Sequence, residues 1–239
     1  KEGRMASPYY VSPEQVVQDR SEFVQKGIEK AREVIVLEYQ DGLAVVAENP
    51  LTTVFKVSEI YDRIAFAATG LYREYEALRY VGIRDAEVKG LTYTREDVTA
   101  KWLTNVYSQY IGGNFWQVES KPLEVELLIC EVKENPSLQN RIYHLSFDGT
   151  FWEEDKYAAV GGRADSIVQF LDDTYSENLD LKSAVELAIK TFESLETEFG
   201  VEEPYEVNTE TVEIAILDVN RGRRKFRRLS DTDLNEILA

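Results

Sequence analysis

The chain has 239 residues, of which 44% are apolar, and a formal net charge of −17 at pH 7. A chain of this size can bury a large core, whereas the strong negative charge argues against general affinity for nucleic acid or an anionic membrane surface. No apolar run approaches the roughly 20 residues of a membrane span, and the opening residues lack a signal-peptide pattern. Cys130 is the single cysteine, which excludes an internal disulfide and fits a reducing cytoplasm.

The first predicted element is an amphipathic helix over residues 12–31. Ser12 before Pro13 forms an N-cap with proline at the first helical position, and Gln15 completes a capping-box pattern. Arg20 falls on the polar face. The apolar face recurs at three- and four-residue steps and consists of Val16, Val17, Phe23, Val24, Gly27, Ile28 and Ala31. Because this helix precedes the first predicted strand at Val34, that strand begins in mid-chain.

The rest of the chain alternates groups of strands with pairs of helices. Asp-Gly pairs at residues 41–42 and 148–149 predict hairpin turns. The predicted strands cover residues 34–39, 43–47, 53–57, 63–69, 124–132, 141–147, 150–154, 158–160, 211–218 and 225–229. The predicted helices cover residues 71–86, 94–116, 164–175, 181–198 and a short stretch from 230, and residues 200–208 read as an exposed acidic loop.

This order predicts an α+β protein in which two antiparallel sheets stack and each is covered outside by a helix pair. The result is a four-layer αββα sandwich with an additional N-terminal helix. In the helix over residues 71–86, Tyr75, Leu78, Tyr80 and Ile83 are the predicted buried positions. No linker composition divides residues 12–239, so we expect one domain preceded by a separate segment, residues 1–11. Met5 is the only methionine, which leaves open whether residues 1–4 are native.

The sequence lacks an obvious catalytic, metal or cofactor site. His144, the only histidine, lies in a strand-like run, where a structural role is favoured over a nucleophile–base pair. Cys130 is expected to pack as a small apolar residue, and one histidine and one cysteine cannot build a zinc site. The glycine pairs at residues 112–113 and 161–162 lack phosphate-loop motifs. With 44 acidic residues, spacing alone cannot identify an acid–base pair.

A basic run near the C-terminus admits two interpretations. In so acidic a chain, a hairpin that pairs with acidic neighbours is favoured over a nucleic-acid site. The run consists of Arg221, Arg223, Arg224, Lys225, Arg227 and Arg228.

Several short words of sequence, in their order along nearly the whole chain, resemble the α subunits of actinobacterial-type 20S proteasomes. They are residues 8–15 (PYYVSPEQ), 19–22 (DRSE), 26–28 (KGI), 46–50 (VAENP), 56–63 (KVSEIYDR), 93–99 (YTREDVT), 122–126 (PLEVE), 147–149 (FDG), 161–162 (GG) and 223–228 (RRKFRR). The resemblance implies the N-terminal-nucleophile hydrolase fold. In that family the catalytic β subunits begin at a threonine freed by self-cleavage, whereas α subunits carry an extension and a helix before the first strand. The chain has the second arrangement, which implies a non-catalytic ring subunit without a cofactor.

The resemblance also implies partners and a gate. Seven copies would form an α ring, stack on rings of β subunits and receive a ring-shaped ATPase or another activator. The residues before the first helix, Pro8, Tyr9, Tyr10 and Val11, would gate the axial pore. Two family features are missing: the longer helix-start pattern of archaeal and eukaryotic α subunits, and the acidic tail of some actinobacterial members.

Lys56 is the most specific single candidate for a binding role. In the family, the matching lysine lines a pocket between α subunits and receives the C-terminal carboxylate of an activator. Gly70 and Leu71 open a predicted helix whose N-terminal N–H groups and dipole suit an anion, and a nearby ammonium would add a charge-assisted contact. The alternative is a solvated lysine on an edge strand.

Two other functions remain open at this point. One is a self-processing threonine hydrolase of the same fold, although Gly149-Thr150 is the only Gly-Thr pair and lies in a predicted turn. The other is an unrelated monomeric binding domain.

Overall fold

The computed structural model describes residues 12–51, 53–134, 138–199 and 210–238. The helices in this part of the chain are α1 (Pro13–Ile28), α2 (Tyr72–Thr92), α3 (Ala100–Trp116), α4 (Ala164–Thr174), α5 (Leu181–Phe199) and α6 (Asp231–Leu238). The strands are β1 (Val34–Tyr39), β2 (Gly42–Glu48), β3 (Val57–Tyr61), β4 (Ile64–Gly70), β5 (Val125–Glu131), β6 (Arg141–Leu145), β7 (Phe151–Glu154), β8 (Tyr157–Val160), β9 (Val212–Asp218) and β10 (Phe226–Arg228).

The strands form two sheets of five, with the orders β10-β9-β2-β1-β8 and β3-β4-β5-β6-β7. Every neighbouring pair is antiparallel. One apolar cluster lies between the two sheets, a second lies between the first sheet and α4, α5 and α6, and a third lies between the second sheet and α2 and α3. The four-layer αββα sandwich is therefore confirmed.

Strand β2 shows how the position of a strand between two layers is reflected in its sequence. Leu43 and Val45 face the cluster between the sheets, whereas Ala44 and Val46 face the helix-covered side. Both faces of the sheet are buried, so the strand is a continuous apolar run and does not alternate with polar residues.

Two predicted element starts are wrong, and side-chain hydrogen bonds explain both. The predicted strand over residues 53–57 is a loop, because the Asn49 side-chain amide donates to Val54 O (2.6 Å) and β3 begins only at Val57. The carboxylate of Asp97 accepts bonds from Thr94 and closes a separate turn, and Thr99 supplies the N-cap of α3. Helix α2 also runs to Thr92, beyond the predicted end at residue 86.

One aromatic side chain predicted to be buried is exposed. The exposed fraction of Tyr80 on α2 is 62%. Helix α2 turns Tyr75 and Leu78 toward the sheet, and Tyr80 points away from these positions.

Helix α1 packs against β4 and β5 and is fixed by contacts that its apolar pattern does not reveal. Val24 and Ile28 are buried, whereas Phe23, which was predicted on the same face, is 47% exposed. The guanidinium of Arg20 donates to backbone carbonyls at the C-terminal end of α3, with Nε 2.8 Å from Phe115 O. The predicted polar-face arginine is therefore an anchor of α1.

Candidate functional site

Lys56 and Gly70, predicted from different parts of the chain, lie in the wall of one pocket of about 350 Å³. The pocket lies where the end of β2, the loop before β3, the end of β4 and the start of α2 meet. Its lining consists of Ala31, Arg32, Glu48, Asn49, Pro50, Leu51, Val54, Lys56, Gly70, Tyr72 and Tyr75. Leu71 follows Gly70 and is 47% exposed, but it is not part of this lining.

The backbone at Gly70 explains how α2 starts beside the pocket. Gly70 has a φ of +107°, and a Cβ there would lie 2.0 Å from Glu124 O, so glycine allows the close approach of the two strands. The Leu71 N–H donates to Glu124 O at 2.9 Å. The Leu71 amide is thus engaged by the neighbouring segment, and the free N–H groups at the start of α2 begin after it. The positive end of the α2 dipole reaches the pocket at Tyr72, one residue later than predicted.

The Lys56 side chain is held inside the pocket. Its Nζ donates to Arg32 O at 2.5 Å, and the same carbonyl accepts a bond from Thr69 Oγ1 at 2.7 Å. Its backbone N–H donates to Glu213 Oε2 at 2.9 Å, which fixes the residue just before β3. Burial lowers the pKa of Lys56 to about 8, with nearby carboxylates opposing this shift. Lys56 thus precedes the edge strand and is only partly accessible to solvent.

Two buried carboxylates lie beside Lys56. The exposed fraction is 2% for Glu33 and 3% for Glu48. Arg163 binds Glu33 through two bonds, Nε–Oε1 and Nη2–Oε2, each of 2.9 Å, and its Nη2 lies 3.4 Å from Glu48 Oε2. Arg32 completes the cluster through an ion pair with Glu48.

The different surroundings of Glu33 and Glu48 shift their pKa values in opposite directions. Burial raises the pKa of Glu48 to about 7, and its hydrogen bond with Glu33 adds to this effect. For Glu33, burial opposes ionisation, but hydrogen bonds from Arg163 and Glu48 and the charge of Arg163 outweigh it, so the pKa of Glu33 lies below its usual value. Two like charges in contact favour one shared proton, and Glu48 is the member of the pair whose surroundings favour the protonated form.

This arrangement can receive one anion. Three cationic side chains, Arg32, Lys56 and Arg163, surround two carboxylates, so the cluster carries a net charge of +1 when both are ionised and +2 when one is protonated. The apolar side chains of Leu51, Val54 and Tyr75 line the same cavity and would contact the residues next to a bound carboxylate.

Sequence reasoning did not find Arg32, Glu33, Glu48 and Arg163. Glu48 was visible within the word at residues 46–50, and a charged residue at the end of a wholly buried strand is a signal in itself. Its partners could not be read from the sequence, because Arg163 lies 115 residues away.

The other candidate residues occupy structural positions. The basic run pairs with acidic neighbours, as predicted, through the pairs Arg223–Asp62, Arg224–Glu59, Arg227–Asp233 and Arg228–Glu213. His144 lies in β6 against the Trp152 ring, with Nδ1 3.5 Å from Glu154 Oε1. Cys130 is fully buried between the sheets.

Thr150 closes the β6–β7 turn by donating from its backbone N–H and its hydroxyl to Asp148. Within the ranges that the structure describes, no group of three or more His, Cys, Asp or Glu side chains is placed to hold a metal ion. Nor is any helix there both long enough and apolar enough to cross a membrane. The predicted gate residues Pro8, Tyr9, Tyr10 and Val11 and the predicted loop over residues 200–208 lie outside the described residues.

Comparison with known proteins places this chain in a family. The family described as "Proteasome subunit" matches residues 28–212. The chain belongs to the proteasome subunit family. Among its relatives, "Proteasome subunit alpha" of Acidothermus cellulolyticus is 45% identical over 234 residues, which cover 98% of each chain.

Two further proteins with the same description extend this similarity. That of Saccharopolyspora erythraea is 44% identical over 98% of this chain and 89% of its own. That of Kineococcus radiotolerans is 44% identical over 98% of this chain and 99% of its own. The resemblance to actinobacterial-type proteasome α subunits is therefore confirmed along nearly the whole chain.

Proposed function

We propose that this chain is a non-catalytic α subunit of a bacterial 20S proteasome. It forms a seven-membered ring in the cytoplasm, scaffolds the β rings, gates substrate access and receives the C-terminal carboxylate of a ring-shaped ATPase or another activator. The observation that carries the docking part is the pocket in which Lys56 and the start of α2 present positive charge to a largely apolar cavity.

The course of the chain into β1 supports the non-catalytic assignment. The polypeptide continues from α1 through Arg32 and Glu33 into β1 at Val34. The Arg32 carbonyl at this junction accepts bonds from Lys56 and Thr69. A self-processing hydrolase of this fold would instead need a free threonine amine at the start of the strand. Cleavage at Gly149-Thr150 would cut a hydrogen-bonded turn and remove β1 from the same polypeptide.

Exposed apolar side chains support assembly with other subunits. On α2, Val88 is 58% exposed and Leu91 is 83% exposed, three residues apart on one face. Trp116 at the end of α3 is 64% exposed. Large apolar side chains grouped on a surface mark contact sites between proteins, and we assign the Val88 and Leu91 pair to a contact with a β subunit or a neighbouring copy. A monomeric binding domain would leave them in water.

Co-expression with the β partner tests the proposal. Four versions of the chain are compared: wild type, a chain lacking residues 1–11, Lys56→Ala, and the control Lys190→Ala, which removes an exposed lysine on α5. Size-exclusion chromatography measures ring assembly, and a fluorogenic peptide measures hydrolysis with and without activator. We expect every version to assemble, the truncated chain to hydrolyse peptide faster, and only Lys56→Ala to lose stimulation by the activator.

Each part of the proposal has its own contradicting result. Equal basal rates for wild type and truncated assemblies would remove the gate, and full stimulation of Lys56→Ala would remove the docking role. Elution as a monomer beside the β subunit would remove the ring. An N-terminal mass that reveals a new threonine end, with peptide cleavage by the chain alone, would establish the self-processing hydrolase instead.

A further inference from the structure

We propose that Glu48 couples carboxylate docking to protonation, so that the pocket takes up a proton when an anionic C-terminus binds beside Lys56. The inference rests on the proposed docking function, and it assigns to Glu48 the role of an electrostatic determinant of that site. Glu48 would not bind the ligand itself. It would set the charge that the ligand meets.

The geometry places Glu48 in the wall of the cavity that Lys56 also lines. From the segment before β1, Arg32 and Glu33 contact its carboxylate, and from the segment before α4, Arg163 does so. Lys56 is close enough for its own ionisation to depend on Glu48.

Two tyrosines of α2 and one further carboxylate complete the surroundings. Tyr72 and Tyr75 line the same cavity, and burial raises the pKa of Tyr75 to about 12, so Tyr75 stays neutral here. On β9, Glu213 is engaged by Asn49, by the Lys56 backbone N–H and by Arg228. Among the described residues around the pocket, Glu48 and Lys56 are therefore the two groups that change charge near neutral pH.

A third negative charge would enter a cluster that already holds two. The incoming carboxylate would approach Lys56, and Glu48 would lie in the same low-dielectric wall, where like charges repel strongly. Glu33 is held ionised by two hydrogen bonds from Arg163. Glu48 contacts that guanidinium at the longer distance of 3.4 Å, and its other cationic partner, Arg32, is nearly half exposed. Glu48 is thus the carboxylate that can be neutralised at the smaller cost.

The direction of the pH dependence of binding follows from the pKa of Glu48 in the empty pocket and in the occupied pocket. The pKa of Glu48 is about 7 in the empty pocket, and a bound anion would raise it, so binding takes up a proton and strengthens as the pH falls through 7. For an increase of about one pKa unit, the uptake at pH 7.0 is about 0.4 proton per carboxylate bound. Lys56, with a pKa of about 8, would contribute less than about 0.1 proton at that pH for the same change.

Titration calorimetry of the assembled particle measures this proton count. The probe is a short peptide that ends in a free carboxylate, and its C-terminal amide is the negative control. Heats are recorded at pH 7.0 in two buffers with different ionisation enthalpies, because their difference gives the protons exchanged. The proteins are wild type, Glu48→Gln, and the control Glu153→Gln, which alters a carboxylate on β7 that pairs with Arg141.

We expect about 0.4 proton for wild type and for Glu153→Gln, and less than about 0.1 for Glu48→Gln. Binding without proton uptake, or the same uptake in Glu48→Gln, would overturn the coupling and leave docking intact. Equal affinity for acid and amide peptides would overturn the docking function itself. Should Glu48→Gln fail to assemble, the affinity of the wild-type particle for the acid peptide is measured at two pH values instead. Coupling requires that the peptide bind about threefold more weakly at pH 7.5 than at pH 6.0. An affinity that does not change with pH contradicts the coupling.

Discussion

Replacing Arg20 with alanine should loosen α1 from the end of α3. The guanidinium donates to three backbone carbonyls at good distance: Nε to Phe115 O (2.8 Å), Nη1 to Ser120 O (2.7 Å) and Nη2 to Asn114 O (3.1 Å). A fourth contact, to Val118 O at 3.4 Å, is weak. Asn114 and Phe115 lie in the last turn of α3, where the helix dipole favours a positive charge, and Val118 and Ser120 follow it.

The magnitude follows from the number and exposure of these bonds. A hydrogen bond that involves a charged group contributes about 1.5–3 kcal/mol. The carbonyls are only partly buried, so water would replace part of the loss. We therefore expect Arg20→Ala to lower the free energy of unfolding by about 2–4 kcal/mol, and Arg20→Lys, which keeps the charge but not the forked geometry, by about half as much.

Urea denaturation and hydrogen exchange test this expectation. The control is Arg73→Ala, which removes an exposed arginine in the first turn of α2 and should change the free energy of unfolding by less than about 0.5 kcal/mol. Hydrogen exchange should show faster exchange of the α1 amides in Arg20→Ala only. Equal stability and equal α1 protection in the two variants would refute the anchoring role.

Four further substitutions test the buried charges and the packing of the helices. Arg163→Ala leaves buried Glu33 without its bidentate partner, removes a longer contact of Glu48, and should lower the free energy of unfolding by about 3 kcal/mol; a midpoint unchanged in urea would contradict this. Gly82→Ala places a Cβ 1.7 Å from the hydroxyl of Tyr107 and should cost about 1–3 kcal/mol, whereas Gly113→Ala, with no atom within 4 Å, should stabilise α3 by about 0.5–1 kcal/mol; thermal denaturation of both distinguishes crowding from a general glycine effect. Since the folded-state pKa of Glu48, about 7, lies above the ordinary glutamate value of 4.5, its contribution to stability is complete below about pH 4.5 and is lost as the pH rises through 7. Wild type should therefore lose about 1–3 kcal/mol relative to Glu48→Gln between pH 5 and pH 8 in urea titrations, and parallel stability curves would contradict the assignment.

Local sequence patterns predicted the structure correctly where the residues that determine a helix start or a turn lie within that element. The N-cap at Ser12 accepts the predicted bond from the Gln15 N–H, at 3.2 Å. Both Asp-Gly pairs lie in turns between antiparallel strands, as predicted. The predictions failed where a side chain engaged the backbone nearby, as at Asn49, which holds the loop before β3.

Sequence reasoning predicted only part of the candidate site. Lys56 and Gly70 were predicted as one site, and the structure places them in one pocket. The buried carboxylates were not predicted, because the sequence contains 44 acidic residues and nothing local distinguishes the two that lose their water. Burial, and not residue type, makes Glu33 and Glu48 unusual.

The sequence by itself determined the elements, their layering and the family, because apolar periodicity, caps and turn residues act over a few positions. Only the tertiary structure decided which charges meet. The Arg163–Glu33 pair joins residues 130 apart, and the bond from Arg20 to Ser120 O joins residues 100 apart. The physical reason is that an ion pair or a buried hydrogen bond depends on distance in space and on the exclusion of water, and neither exists until the sheets and helices have packed.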